Sequence, residues 1–244
     1  MNEDQVIKKL ISTASAEIGY MEKASNKNLD DKTANAGKGN FTKYARDLVN
    51  LIGSPYSQGA AWCDMFVDWC FIQTFGKENA KKMLGGWSAY TSTSANFYKN
   101  AGRFFKSPSI GDQIFFKNSE RINHTGIVVN VSDTTVYTIE GNSSNMVQKR
   151  LYLKSDTKIA GYGRPNWSVV TTKEEAKTNQ WPLATVEGVD ISDVLDPNVF
   201  DVRKYRAAYK DLDSVFGDNW QMYYYHYKVI GKTEIETKQR PPFM

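Results

Sequence analysis

The chain has 244 residues, 41% hydrophobic and 13% aromatic, which supports one large domain or a medium domain with a small module and excludes a chain disordered throughout. Its net charge of +4 is uneven: residues 1–167 hold 21 Lys/Arg against 15 Asp/Glu, whereas residues 187–244 hold 8 against 10. The positive excess biases the first part toward anionic polymers without defining a site, and no run approaches the roughly 18 apolar residues of a membrane span.

Residues 5–22 repeat Ile7, Leu10, Ile11, Ala14 and Ile18 on one stripe, which predicts a helix. A polar segment, Ser25–Asn40, follows. Asp30 and Asp31 lie in it without the regular oxygen-ligand spacing of a calcium loop, so it reads as a solvated loop. A second helix carries Phe41, Tyr44, Ala45, Leu48 and Leu51 on its packed face and stops at Gly53 and Pro55. The stretch from Trp62 to about Phe75 is apolar on most sides and is expected to be central. Short helices follow at Lys77–Leu84 and Thr91–Ala101. Between them, Trp87 and Tyr90 either line a groove or anchor a loop, and anchoring is preferred.

After Pro108 the period changes to alternation. Strands are predicted at Gln113–Phe116, Thr125–Val131 and Thr135–Glu140, with further ones at Val147–Leu153 and Ile159–Tyr162. Ser132–Asp133 joins the second and third as a hairpin, making them antiparallel neighbours.

Cys63 stands where Gly59-Ala60-Ala61 hands over to the central helix. Free N–H groups and the positive end of the dipole at a helix start favour thiolate, the species that attacks carbonyls. A buried core cysteine is the alternative for Cys63 taken alone. Cys70 is seven residues on, roughly 10 Å along the helix and beyond disulfide reach, so two free thiols are expected. His124 opens the second strand, with Glu140 and Asn142 at the end of its partner, and the two ends are neighbours across an antiparallel pair. A thiol at a helix start, an imidazole on a facing strand and a carboxylate or amide to orient the ring are the parts of thiol acyl-transfer catalysis. Gln58 either adds a donor to an oxyanion site or serves the turn, and the turn is preferred.

Trp62-Cys63-x-x-Phe66-Val67-x-Trp69, His124-Thr125-Gly126-Ile127-Val128 and Ile139-Glu140-Gly141-Asn142 resemble, in that order, the motifs of the CHAP family, cysteine- and histidine-dependent amidohydrolases and peptidases of bacterial and phage wall hydrolases. The resemblance covers about residues 5–167. It implies an α+β, papain-like fold, with N-terminal helices packed on an antiparallel sheet. It further implies cleavage of peptidoglycan amides, and Cys63, His124, Glu140 and Asn142 as the catalytic set. Some members bind calcium near the nucleophile through clustered acids; Ser54–Gln58 stands at that place here, so no metal and no cofactor are carried over.

Residues 168–186 read as a polar linker. Residues 187–244 read as a small all-helical module, from Phe200-Asp201, Tyr205, Tyr209, Asp211-Leu212, Phe216-Gly217, Tyr223, His226-Tyr227 and Gly231. That pattern is similar to short helical modules of wall hydrolases, with Lys210 where a proline is usual. It serves either to bind walls or to cap the fold, with His226 in its own packing. The expected function is a peptidoglycan hydrolase, an amidase or an endopeptidase of phage-endolysin type. The alternatives are an injected amidase toxin and a wall-binding protein with a vestigial site. The start Met1–Lys9 lacks a signal peptide's apolar core, so synthesis in the host cytoplasm and action on the wall are expected, with neither nucleic acid nor membrane insertion involved.

Overall fold

The computed structural model describes residues 1–171, 185–186, 189–190, 202–216 and 220–237. The chain divides into two compact units, Met1–Glu174 and Glu175–Met244. The first is an α+β unit of the papain-like kind. Its helices are α1 (Glu3–Ala16), α2 (Lys43–Leu51), α3 (Cys63–Phe75), α4 (Lys77–Leu84) and α5 (Thr91–Asn100). Its strands are β1 (Phe104–Phe105), β2 (Gln113–Lys117), β3 (Ile122–Val131), β4 (Thr135–Ser143), β5 (Met146–Leu153) and β6 (Ile159–Gly163). They form one antiparallel six-stranded sheet in the order β1-β6-β2-β3-β4-β5.

Helix α1 begins in a capping box, Asn2 accepting from the Gln5 N–H and the Gln5 side chain accepting from the Asn2 N–H. It ends at Ala16, short of the expected 22, because the next residues have a stronger use for their backbone. Gly19 N–H donates to Val147 O, Val147 N–H donates to Tyr20 O, and Met21 bridges Met146, so the segment joins the edge of β5. Long-range pairing outweighs helical periodicity there. Helix α2 starts at Lys43, with Thr42 Oγ1 accepting from Ala45 N–H at 3.1 Å. Tyr44, Ala45 and Leu48 are buried as expected, but Leu51, the last residue of the helix, is 47% exposed.

Helix α3 is the centre of the unit. Trp62, Met65, Phe66, Val67, Cys70 and Phe71 are all fully buried, so the helix has no solvent face to speak of. It packs between α1, α2 and the inner face of the sheet, where Phe115, Ile127 and Ile139 meet it. Trp87 packs on this core, whereas Tyr90 is 57% exposed, so the loop they share is anchored by the tryptophan and not by both. The outer face of the sheet has its own cluster of Ile114, Phe116, Val128, Val136 and Tyr162.

The polar segment after α1 is a built loop. Both Asp30 oxygens accept from Arg46 at 2.7 Å, and Asp31 Oδ1 accepts from the N–H groups of Thr33 and Ala34 at 2.8 Å. Of the residues expected as linker, 168 and 169 lie in a 3-10 turn that begins at the buried Trp167, and 172–184 lie outside the described residues.

In the second unit the described residues form α6 (Val202–Ala208), α7 (Asp213–Phe216), α8 (Trp220–His226) and α9 (Lys232–Glu236) around buried Tyr205, Tyr209, Leu212, Tyr223 and Tyr224. A short antiparallel pair, β7 (Thr185–Val186) with β8 (Val189–Asp190), accompanies these helices and was not foreseen. His226 packs within the unit, its Nδ1 2.9 Å from the Tyr205 hydroxyl and its ring against Phe216. Phe200 and Asp201 lie outside the described residues.

Candidate active site

Trp62 fixes where α3 begins. Its indole N–H donates to Glu22 Oε2 at 2.9 Å, and its ring stacks on Tyr44 with centroids 5.5 Å apart. The next residue, Cys63, is the first of a 13-residue helix and is 5% exposed. No side chain caps this end, so N–H groups of the first turn remain free to meet a developing negative charge. Gln58 takes no part in that: it accepts from Thr42 N–H at 2.9 Å and donates to Thr42 O at 2.8 Å, which uses both ends of its amide on the turn.

His124 lies near the start of β3, opposite Phe116 of β2, with its ring stacked on the phenyl at 5.7 Å. Its Nε2 is 2.9 Å from Glu140 Oε2, and the Cys63 side chain is the other group that acts on the ring. With Nε2 on the carboxylate, Nδ1 is the nitrogen left for sulfur. The structure thus brings Cys63, His124 and Glu140 together in a row.

Glu140 is completely buried and fully partnered. Beside His124, Oε2 accepts from the Tyr152 hydroxyl at 3.2 Å, and Oε1 accepts from Thr138 Oγ1 at 2.6 Å. Two glycines make room for this strand end. A Cβ on Gly126 would come 2.5 Å from Glu140 Cγ, and one on Gly141 would come 2.4 Å from Phe66 Cβ and 2.9 Å from the Trp62 ring. Gly126 therefore lets the carboxylate lie beside β3, and Gly141 lets β4 close on the start of α3. Asn142 ends apart from this row: it is half-buried with φ of 54°, and among the described residues its side chain makes no hydrogen bond to the imidazole.

The imidazole is a strong base here. Burial works against its charged form, but hydrogen bonds and opposite charge from Cys63 and Glu140 outweigh that and raise its pKa to about 10. A ring that keeps its proton across the neutral range can donate it to a leaving amine.

Behind the row lies a polar network that spacing alone did not reveal. Asp64 accepts from Ser94 Oγ at 2.6 Å and from Gln113 Nε2 at 2.9 Å. Gln113 also donates to Thr125 Oγ1 at 3.1 Å and accepts from the Tyr98 hydroxyl at 3.0 Å. Thr125 is the neighbour of His124, so the network ties the helix that carries the thiol to the strand that carries the base. Burial pushes the Asp64 carboxyl up to about 7. Burial, with the Asp64 charge added to it, holds the Asp68 carboxyl well above the ordinary range. The available signal was two aspartates four apart in an otherwise apolar helix.

A thiol on a helix start, an imidazole and a buried carboxylate on an α+β scaffold define a cysteine–histidine hydrolase type of site. Residues 55–142, within the first unit, match the CHAP domain family model, so this part of the chain is a CHAP domain. That domain supports a hydrolase of the amidase and peptidase kind, with peptidoglycan as the general substrate. Among solved structures the chain is similar to the crystal structure of Ly7917, at 11% identity over 66% of this chain and 62% of that one, with a TM-score of 0.41. No curated protein matches it. No described helix is long and apolar enough to cross a membrane, and no group of three or more His, Cys, Asp or Glu among the described residues is arranged to hold a metal ion.

Proposed function

We propose that this protein hydrolyses an amide bond of peptidoglycan, between sugar and peptide or within the stem or cross-bridge peptide, with Cys63 as nucleophile, in the manner of a phage endolysin or a related wall hydrolase. The observation that carries this is the row from Cys63 through His124 to Glu140. Cys63 sulfur, as thiolate, bonds to the amide carbon, and the carbonyl electrons move onto oxygen beside the N–H groups that begin α3. As oxygen re-forms its double bond the C–N bond breaks, and His124 gives its proton to the departing nitrogen. Water then attacks the thioester, with His124 as the base that takes the proton, and the acid product leaves while sulfur regains its electron pair. Glu140 holds the ring by Nε2 and balances its charge. Asn142 is assigned to the outer edge of the same site, where it acts on substrate instead of on the ring.

The second unit is proposed to bind the wall, and a buried aromatic cluster of its own supports independent folding. The experiment is digestion of purified peptidoglycan with mass spectrometry of the new amino termini. Wild type is expected to release a defined set of amines and Cys63→Ala none. Equal release by both chains, or none by wild type, overturns the proposal.

A further inference from the structure

An open pocket of about 320 Å³ lies by the start of β3, lined by Lys99 of α5, by Lys117 at the end of β2, by Asn118, Glu120 and Arg121 of the β2–β3 connection, and by Ala160. One more cation borders it: Lys106 Nζ donates to the carbonyl of the lining residue Ala160 at 3.2 Å. Among the lining residues Glu120 is the one carboxylate against Lys99, Lys117 and Arg121, so positive charge prevails.

The site is pre-shaped. Asn118 Oδ1 accepts from the N–H groups of Glu120 and Arg121 at 3.0 and 2.8 Å, which fixes the turn. The Arg121 guanidinium lies 5.0 Å over the Tyr90 ring and donates to its hydroxyl, which leaves other N–H groups of the fork for a ligand. Thr91 and Ser92 hydroxyls both donate to Ile122 O at 2.9 Å and lock the start of α5 to the start of β3. Arg121 immediately precedes β3 and His124 is the third residue of that strand, so the pocket lies at the strand end that carries the base.

We propose that this pocket is a substrate subsite for an acidic group of the wall polymer, a carboxylate or a phosphate, on the side of the scissile amide where β3 begins. The assignment rests on the hydrolase reading above, but its chemistry, oxyanion capture by Arg121 with Lys117 and Lys99, is testable apart from hydrolysis. It also gives the excess positive charge of the first unit a location.

The full chain is titrated with fluorescent poly-glutamate, fluorescent polyphosphate and a single-stranded DNA oligonucleotide at low salt. Lys117→Gln/Arg121→Gln is expected to weaken binding of an acidic probe about tenfold, the size of one lost charge-assisted contact. Lys99→Gln, on another element, is expected to act in the same direction, and the distant pair Lys81→Gln/Lys82→Gln to leave binding unchanged. Unchanged binding in the pocket variants, or equal loss in the distant pair, overturns the subsite. DNA bound through the pocket more tightly than both acidic probes overturns it in favour of a nucleic-acid site. On walls, the pocket variants are expected to raise KM with kcat kept. If that defect vanishes on walls stripped of phosphate polymers, the group is a phosphate; if it persists, it is a peptide carboxylate. Walls left uncut by wild type refute the hydrolase reading while the probe titration still decides the pocket.

Discussion

Replacing Glu140 by Gln separates what its charge does from what its shape does. The carboxylate accepts from His124 Nε2 at 2.9 Å, from Tyr152 at 3.2 Å and from Thr138 at 2.6 Å. A glutamine keeps its oxygen toward His124 and Tyr152 and turns its NH2 toward Thr138, whose hydroxyl rotates to accept. Geometry survives and charge does not. Hydrogen bonds to a charged group contribute about 1.5–3 kcal/mol and neutral ones about 0.5–1.5, so the loss is about 1–2 kcal/mol, or roughly 5- to 30-fold in kcat/KM. Glu140→Ala is expected to be slower still, because it leaves buried donors without an acceptor. The pH profile carries the sharper signature. His124 is raised to about 10, so its stabilisation of the fold is fully present below its ordinary value of about 6.5 and is lost as pH rises through about 10. The acid form needed for amine departure follows the same course. In Glu140→Gln both the basic limb of kcat/KM and the alkaline loss of stability are expected at lower pH. Rates on purified walls across the pH range, with denaturant melts at the same points, measure this. A basic limb that does not move, or a variant as inert as Cys63→Ala, refutes the role given to the carboxylate.

Cys63→Ala is expected to abolish hydrolysis, while Cys70→Ala keeps activity and loses about 1 kcal/mol of stability. Burial holds the Cys70 thiol well above the ordinary range, so iodoacetamide on the native protein is expected to label Cys63 alone, as peptide mapping will show. Asp64 is raised by burial to about 7, so its effect on stability is the reverse of a paired carboxylate: the fold weakens as pH rises from about 4 through about 7. Asp64→Asn, which keeps partners for Ser94 and Gln113, is expected to reduce that decline, leaving the part due to the buried Asp68, and urea midpoints at acid and alkaline pH measure it. Gly141→Ala sets a Cβ 2.4 Å from Phe66 Cβ and is expected to cost about 1–3 kcal/mol and to lower activity per folded molecule, read from melts and active-site titration. A chain ending at residue 174 keeps Trp167 stacked 6.1 Å from Phe71 and is expected to cleave soluble fragments at the full-length rate but intact cells more slowly, by turbidity. Death on fragments would refute a separable second unit.

Alternation made β2 to β6 legible because each has an inner face on the helices and an outer face with its own apolar cluster, and an apolar run without a polar stripe made α3 legible as the centre. What escaped depends on partners far away in sequence. Nothing local says that β6 inserts between β1 and β2, or that residues 19–21 leave a helical pattern to pair with β5. Likewise Cys63, His124 and Glu140 stand at element ends within distinctive motifs, whereas Thr138 and Tyr152 reach Glu140 only through the side-chain alternation of β4 and the β4–β5 register.

Asp64 shows why a candidate site is harder to read than a fold. It stands in an apolar helix, yet it is fully buried, and Ser94 and Gln113, which complete its hydrogen bonds, are buried too. A buried carboxylate that shares no bond with substrate or base is costly unless fully partnered. Asp64 itself is on α3, and its partner Gln113 of β2 passes the connection on to Thr125 of β3, beside the imidazole. The same bonds that satisfy Asp64 therefore hold α3 and β3 at the distance that the row from Cys63 to Glu140 requires. Loosening them is expected to lower activity before it lowers stability, since catalytic geometry tolerates smaller displacements than packing does.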